Sequence, residues 1–490
     1  MNVRVRALLG SATRFMPDTI EHEFSGADLG DVRRNRRLGR VASGMAEAPA
    51  ASVSGACGGW AESMAAFRLL NAPEVTPKAI LAPHQGAILA RAAASPCVLV
   101  IQDTTELDFS RMKTMEGCGP LNEETRRGFF MHSLYVLSEP GLPLGLLDTA
   151  IVARRDEDFR KAAARKHLPI AQKESFRWVQ GYSRTQEMAR QLPGCEVFSI
   201  SDREGDIYEV FEAWARAGAD GGPRAHWIIR AHQDRALEGL ALDAPQKLFA
   251  ALADAPELGT MEFRVSARRQ KKKIKGHTVQ VARSARMVRQ RLRAMRITPR
   301  APFRRGGKLP AVCFWAVLAE EIDPPEGEEP LRWLLLTSEE VSTPPAARRI
   351  VALYLRRWDI EVFHRVLKTG CRVEALQLKG HQAVLNCLVL YAIIAWRILY
   401  LMHLGRQCPE LPCSAVFEEA EWKAACTVAA AGKKRGPLRE PTLGEFIALV
   451  AKFGGHLGRR SDKPPGAQAI WQGLARVRDF ACAWEAIHQE

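Results

Sequence analysis

A chain of 490 residues is long enough for about three domains with ample core, which excludes a small scaffold dependent on cross-links. Its eleven cysteines form no CxxC pair and no Cys/His spacing suited to zinc, and their number is odd, so neither a disulfide framework nor a zinc site is indicated; a reducing cytoplasm is the expected compartment. The net charge of +15 is concentrated: between Met261 and Lys308 stand 17 Lys and Arg against one acid, Glu262, a local balance of +16 that leaves the other 442 residues near −1. Cation density of this kind attracts polyanions, and counterion release makes nucleic acid the expected partner.

The opening segment MNVRVRALLGSATRF lacks a long apolar core and a small-residue cleavage site, so no signal peptide is expected. The first 75 or so residues read as short helices, with Asp31 placed to cap VRRNRRLGRVASGMAEA. Arg33, Arg37 and Arg40 share a face of that helix, which can grip a DNA backbone or simply face water. A helical stretch from Ala82 to Ala94 precedes CVLVIQDTTELDF, an apolar run ending in Asp103. GFFMHSLYVLS and LPLGLLDTAIVARR read as two further strands with EPG as the turn between them. A long amphipathic helical region from Glu157 to Gln191 leads to EVFSISDREGD, a second apolar run that ends in an acid, Asp202. With the helix from Ile207 to Gly218, this is an α/β layout with carboxylates at strand ends.

From about Gly221 to Val341 the pattern changes to short β-like runs separated by turns, and an all-β insert interrupting the α/β domain is expected. RRQKKKIKG alone suits a solvated hairpin tip; the recurrence of Arg283, Arg286, Arg289, Arg291, Arg293 and Arg296 points to a broader basic surface. A long helix is expected from about Thr343. Its segment YLRRWDIEVFHRVLKTG places Tyr354, Arg357, Glu361 and Lys368 within a wedge of roughly 60° at about 100° per residue, with Leu353, Ile360, Phe363 and Leu367 on the far side. A carboxylate flanked by a phenol and two cations suits a phosphate-handling site, although a solvated face would also allow it. The most apolar run, Leu385 to Met402, carries Asn386 and Arg397 and reads as a buried domain helix, so no membrane partner is expected. After the linker RQCPELPCS, helical segments continue to the end with a loop at RRSDKPPG.

Three separated acids carry the chemistry: Asp103, Asp202 and Glu361. Hard divalent cations prefer several oxygens, and carboxylates from adjacent elements can hold one or two Mg²⁺ ions for attack at phosphorus. Spacing does not choose among neighbouring acids, since Glu106 and Asp108 follow Asp103 while Glu204 and Asp206 follow Asp202. His132 and His364 lie nearby and read as packing or hydrogen-bonding residues rather than metal ligands.

IQDTTELDF, SDREGDIYEV, LAEEIDPPEGEEPLRWLLLTSEEV and YLRRWDIEVFHRVLKTG together resemble the insertion-sequence-four family of bacterial DDE transposases, and most of all its transposon-five branch. The most specific part of the resemblance is Tyr-x2-Arg-x3-Glu-x6-Lys, met by Tyr354, Arg357, Glu361 and Lys368. The resemblance implies an RNase H-like fold, α/β with a mixed sheet, interrupted by a β-strand insert and flanked by helical domains. It places a DNA-end-binding domain at 1–77, a catalytic domain at 78–403 with the insert at about 221–341, and a dimerisation domain at 404–490.

By the same resemblance Asp103, Asp202 and Glu361 form the catalytic, metal-holding triad, with Mg²⁺ as cofactor and Mn²⁺ as its substitute. The implied activity is cut-and-paste transposition through a hairpin intermediate, with double-stranded transposon ends and target DNA as partners of a homodimer. Trp333, 21 residues before Tyr354, matches the family's base-holding tryptophan. Tyr354, Arg357 and Lys368 would hold phosphates, Trp358 would pack beside them, and Arg365 stands where a relative has lysine. Arg33, Arg34, Arg37 and Arg40 fall in the region resembling the end-recognition segment. Gly205 stands where relatives commonly have alanine, a change expected to alter only local helix onset. The implied location is cytoplasmic, with the nucleoid as the site of action. A catalytically inactive, transposase-derived DNA-binding regulator shares the basic block, and a repair or junction nuclease shares the fold; three retained acids argue against the first and Trp333 against the second.

Overall fold

The computed structural model describes residues 20–488 apart from 113, 160–167, 220, 240, 242–244, 266, 275–276, 305, 432–437 and 460, and does not describe the side chains of 219 and 268–283. The chain divides into two compact units. The first comprises Met1–Lys166, Gln191–Glu196 and Trp358–Glu490; the second comprises His167–Arg190 and Val197–Arg357.

The first unit begins with helices α1 (Ile20–Glu23), α2 (Val32–Glu47), α3 (Trp60–Asn71) and α4 (Pro77–Ala92). Asp31 caps α2 as expected, its carboxylate accepting the Arg33 N–H at 2.6 Å. Thr76 caps α4, and Pro77 occupies the first turn, where a missing N–H removes no helical hydrogen bond. An antiparallel meander follows: β1 (Cys97–Asp108), β2 (Arg127–Ser138) and β3 (Pro143–Val152), with Asp103 opposite Ser133 and Thr104 opposite His132. Asp103 therefore lies within β1 and not at its end. The apolar run stops there, but Thr104 and Thr105 continue the ladder against β2, and burial gives way to partial exposure at Asp103.

The expected helical region over Glu157 to Gln191 is interrupted: Asp156–Asp158 and Ile170–Gln172 are single 3-10 turns, the latter directly after Pro169, and among the described residues helix α5 spans Phe176–Gln191. Residues 160–167 of that expectation lie outside the described residues.

In the second unit, β4 (Glu196–Ser201), α6 (Tyr208–Ala219) and β5 (His226–Arg230) form a parallel βαβ turn, with Phe198 opposite His226. The insert adds α7 (Leu248–Ala253), β6 (Glu257–Val265), β7 (Arg268–Ile274), β8 (His277–Arg283), β9 (Arg286–Ile297), β10 (Phe314–Glu321) and β11 (Arg332–Thr337). Its strands join the βαβ sheet in the order β4-β5-β11-β10-β9-β6, while β7 and β8 form a separate ribbon. The insert thus extends the mixed sheet, and it includes one short helix. β9 shows why: Val288, Gln290, Leu292 and Ala294 are buried at every second position, leaving arginines on the other face. Phe211, Trp227 and Phe314 meet beneath the sheet at 4.6–5.0 Å.

The expected continuous helix from Thr343 is three consecutive pieces: α8 (Pro344–Leu355), α9 (Trp358–Arg365) and a π turn over Val366–Gly370. Thr343 caps α8, accepting the Ala346 N–H. The break is made by tight bonds in which the Arg356 and Arg357 N–H groups donate three residues back, to Leu353 and Tyr354. The single stripe calculated at 100° per residue is therefore divided, with Tyr354 and Arg357 in the second unit and Glu361 and Lys368 in the first.

The first unit resumes with α10 (His381–Gln407), α11 (Glu419–Ala429), α12 (Leu443–Phe453) and α13 (Ala467–His488). Helix α10 is long and apolar enough to cross a membrane, but it is buried inside the first unit against α2, α3, α4, α12, α13 and β3. Its Asn386 amide donates to the carbonyls of Leu70 and Val75, at 3.0 and 2.6 Å. Trp396 lies under the Arg91 guanidinium, and Arg91 grips the buried Glu23 carboxylate at 2.8 and 3.0 Å. All eleven cysteines are free. The mixed α/β layout with helical regions at both ends is that of an RNase H-like fold.

Candidate active site

Asp202 follows β4 directly and caps a 3-10 turn, its Oδ1 accepting the Glu204 N–H at 2.9 Å. Beside it within the second unit lies Tyr354, only 3% exposed. Burial raises the phenol's pKa, Arg357 and Arg230 oppose that rise, and the Asp202 charge adds to it. Both guanidinium groups hydrogen-bond the tyrosine side chain. Arg230 has its own pKa lowered, chiefly by burial; the attraction of Tyr354 opposes this, and the like charges of Arg203 and Arg357 add to the lowering. Two like-charged guanidinium groups thus share one phenol, with the charge of Arg203 acting on Arg230, an arrangement that a bound anion relieves. Neither Arg230 nor Arg203 is marked by the Tyr-x2-Arg-x3-Glu-x6-Lys spacing; the available signal was that Arg230 ends the strand lying parallel to the one that leads into Asp202.

Trp333, on β11, is 5% exposed. Phe263 stacks on it at 5.5 Å and 23°, and the ring of Tyr354 stands edge-on at 6.1 Å. Gly205, in the turn after Asp202, is a packing requirement and more than a matter of helix onset: a Cβ there would stand 2.1 Å from Ser201 Oγ and 2.7 Å from Ser201 Cβ.

In the first unit, Glu361 lies in the first turn of α9, where the helix dipole favours a carboxylate. Helix α9 packs on β1, and its Phe363 stacks on Tyr135 of β2 at 4.9 Å, which places Glu361 and Asp103 on touching elements. Lys368, in the π turn, is 3.8 Å from Glu374, whose Oε1 accepts the Asp108 N–H. Trp358 is half-buried at the start of α9, and Arg365 is exposed at its end. His132 is buried and hydrogen-bonded to Thr104 Oγ1 at 2.9 Å and Gln102 Oε1 at 3.3 Å, the role expected of it. His364 is buried with its ring against Phe363.

The neighbouring acids that spacing left open have definite partners. Asp206 accepts the N–H groups of His232 and Gln233, both at 2.8 Å, and pairs with Arg235. Asp108 accepts from Ser110 and Arg126; burial would raise its carboxyl, but these bonds hold it down at about 2. Glu106 takes the other arm of Arg126. Glu204 is raised by burial and by the charge of Asp202.

The basic block is less uniform than its linear count. Arg286 pairs with Glu321 and Glu328, Arg289 with Glu262, Arg291 with Glu257, Arg304 with Glu209 and Lys308 with Glu238. The broad surface expected from Arg283 to Arg296 is thus partly neutralised, because the balancing acids come from facing strands and distant loops. The run RRQKKKI forms strand β7 of the separate ribbon. On α2, Arg33 and Arg40 are exposed and Arg37 is half-buried; Arg34 pairs with Glu74 and donates to the Leu29 carbonyl.

Among the described residues, no three His, Cys, Asp or Glu side chains are grouped to hold a metal by themselves. Asp103 and Glu361, on touching elements of the first unit, are of the ligand type that Mg²⁺ takes, ordinarily one or two carboxylates per ion while waters and substrate phosphates complete its shell.

Three family models match the chain in order: transposase DNA-binding over residues 16–75, transposase DDE domain over 220–397, and transposase Tn5 dimerisation domain over 393–486. The arginines of α2 fall in the first match; Arg230, Trp333, Tyr354, Arg357 and Glu361 fall in the second. Asp103 and Asp202 precede the second match. Joined to the fold and to the guanidinium cluster beside Asp202, this order shows that the chain belongs to the Tn5-like DDE transposases, enzymes that bind DNA and dimerise.

Proposed function

We propose that the protein is a cut-and-paste transposase that binds transposon ends, cleaves them through a hairpin intermediate and joins the freed 3′-hydroxyls to target DNA. The observation carrying this reading is the convergence of Arg230 and Arg357 on Tyr354 beside Asp202, since like-charged guanidinium groups sharing one partner suit a phosphodiester. In this reading Asp103, Asp202 and Glu361 hold two divalent ions, Mg²⁺ or Mn²⁺ in its place. When bound, such ions lower the pKa of an attacking water or hydroxyl and stabilise charge on the leaving oxygen. The protein's own side chains position the strand: Tyr354, Arg357, Arg230 and Lys368 hold phosphates, with Arg365 and Trp358 beside them. Trp333 holds a base displaced from the bent hairpin. Arg33, Arg34, Arg37 and Arg40 contact the transposon end.

The unit of action is a homodimer working in the cytoplasm on nucleoid DNA, with end binding assigned to 1–77, catalysis to 78–403 and dimerisation to 404–490. The test uses the purified protein, the DNA ends flanking its gene and Mg²⁺, resolved on denaturing gels. Wild type is expected to give hairpin-ended products, and Glu361→Ala to bind the same ends without cutting them. Undiminished cutting by Glu361→Ala would remove that acid from the mechanism, and blunt products without hairpins would overturn the hairpin route.

A further inference from the structure

Residues two apart on a strand share a face, and residues opposite one another in the ladder share it too. Asp103, Ser133 and Tyr135 therefore lie on one face of the β1–β2 pair, while Gln102, Thr104 and His132 lie on the other. Tyr135 stacks on Phe363 of α9, so the first face is the one turned toward the helix of Glu361. On the second face His132 is a buried imidazole that the phosphate chemistry does not use. Both of its ring nitrogens are bonded to side chains that flank Asp103: Nδ1 lies 2.9 Å from Thr104 Oγ1, and Nε2 lies 3.3 Å from Gln102 Oε1. An amide oxygen only accepts, so Nε2 carries the ring hydrogen, and the Thr104 hydroxyl donates to Nδ1 of the neutral ring.

Thr104 joins that ring to the acid, because its own N–H donates to Asp103 Oδ1 at 2.8 Å. Its hydroxyl is held on one face of the strand while its peptide group holds the carboxylate of the neighbouring residue. The placement of this clamp matters. From Cys97 to Gln102 strand β1 is fixed by burial, but Asp103 to Glu106 are only half-buried. Apolar packing thus weakens where the strand delivers its acid, and a hydrogen-bonded imidazole supplies the fixing that packing no longer gives. Threonine suits the task because branching at Cβ leaves it few rotamers, and one bond from its hydroxyl is enough to select among them.

We propose that Thr104 and His132 are positioning residues for Asp103, His132 fixing Thr104 and Thr104 aiming the carboxylate. The inference rests on the reading of Asp103 as a metal-holding acid. Groups bonded to a metal-holding side chain set its direction, and their loss ordinarily costs about 10- to 100-fold in metal affinity or activity.

The full chain, bound to a pre-cleaved end duplex, is titrated with Mn²⁺ while the free ion is counted by electron paramagnetic resonance. Thr104→Val keeps the side chain's shape and its strand preference and removes only the hydroxyl. It should raise the Mn²⁺ concentration for half-saturation by about 10- to 100-fold, with melting temperature and affinity for end DNA near those of the wild type. Single-turnover cleavage should slow at low Mg²⁺ and recover as Mg²⁺ is raised, a response that loss of fold would not give. Thr104→Ser, which restores the hydroxyl, should return the wild-type titration. His132→Leu should give the same loss as Thr104→Val, and combining the two should add nothing further, as for residues acting through one bond. Should His132→Leu fail to fold, the Thr104→Val and Thr104→Ser pair decides. Wild-type Mn²⁺ affinity in Thr104→Val, or a loss that Thr104→Ser does not recover, overturns the proposal. Asp103→Asn separates the two readings: if it weakens Mn²⁺ binding and Thr104→Val does not, only the positioning role falls, whereas wild-type Mn²⁺ affinity in Asp103→Asn removes the acid from the metal site and the positioning role with it.

Discussion

The indole of Trp333 meets the ring of Tyr354 edge to face, with centroids 6.1 Å apart and planes at 60°. A residue of the last insert strand is thereby packed against the residue that receives Arg230 and Arg357, so the aromatic pair and the two guanidinium groups are built as one piece within the second unit. Removing the tyrosine hydroxyl leaves both guanidinium groups without their shared partner. Tyr354→Phe is expected to slow end cleavage by about 10- to 100-fold through misplacement of the strand, with folding preserved. Single-turnover cleavage set beside a melting curve checks both parts.

Arg230 makes a separate, thermodynamic prediction. If it neutralises one phosphate, Arg230→Ala should reduce the slope of log affinity against log salt for end DNA by about 1. A parallel loss of affinity at every salt concentration, with unchanged slope, would show that Arg230 acts only by supporting Tyr354.

Glu23 links the N-terminal region to the centre of the first unit. Burial would raise its carboxyl, but Arg91 and His84 together hold it at about 2, against an ordinary value of 4.5. His84 completes the link, because its Nδ1 lies 2.5 Å from Glu23 and its Nε2 accepts the Leu146 N–H. The depressed carboxyl contributes stability above pH 4.5 that is lost as pH falls through about 2, an amount on the order of 3 kcal/mol. Glu23→Gln should destabilise the protein by about 3 to 5 kcal/mol at neutral pH by stranding Arg91. Urea unfolding should show the gap between variant and wild type closing below pH 4.5.

Glu421 predicts the opposite slope in a different window. Burial pushes it up to about 7, and the N–H of Glu418 and the charge of Arg397 offset this only in part. The fold therefore favours the protonated acid, so this contribution is fully present below pH 4.5 and is lost as pH rises through 7. The change is about 3 kcal/mol. Glu421→Gln keeps an acceptor for the Glu418 N–H without titrating, and should be more stable than wild type at pH 8 and nearly equal to it at pH 4.5, read by chemical unfolding at the two values.

Gly205 is tested by size alone. Gly205→Ala should destabilise by about 1 to 3 kcal/mol, the range for overpacking, because Ser201 is held in a strand paired with β5. Adding Ser201→Gly should recover part of the loss in a thermal melt.

What the linear chain settled by itself is local. Asp31 and Thr343 announce their helices because a cap bonds an N–H two or three residues away. The insert announces itself as short β-like runs between turns, whereas β9 reads along the chain only as a basic run. The spacing from Tyr354 to Lys368 is likewise an interval along one chain. Tertiary structure alone decided the rest. It broke the helix between Tyr354 and Glu361, brought Arg230 to Tyr354 across 124 positions, and set Glu321 and Glu328 against Arg286. It also committed Asp206 and Asp108 to structural bonds. These outcomes depend on strand register and on which distant backbone groups need a partner once water is removed, and neither is encoded in the spacing of neighbours.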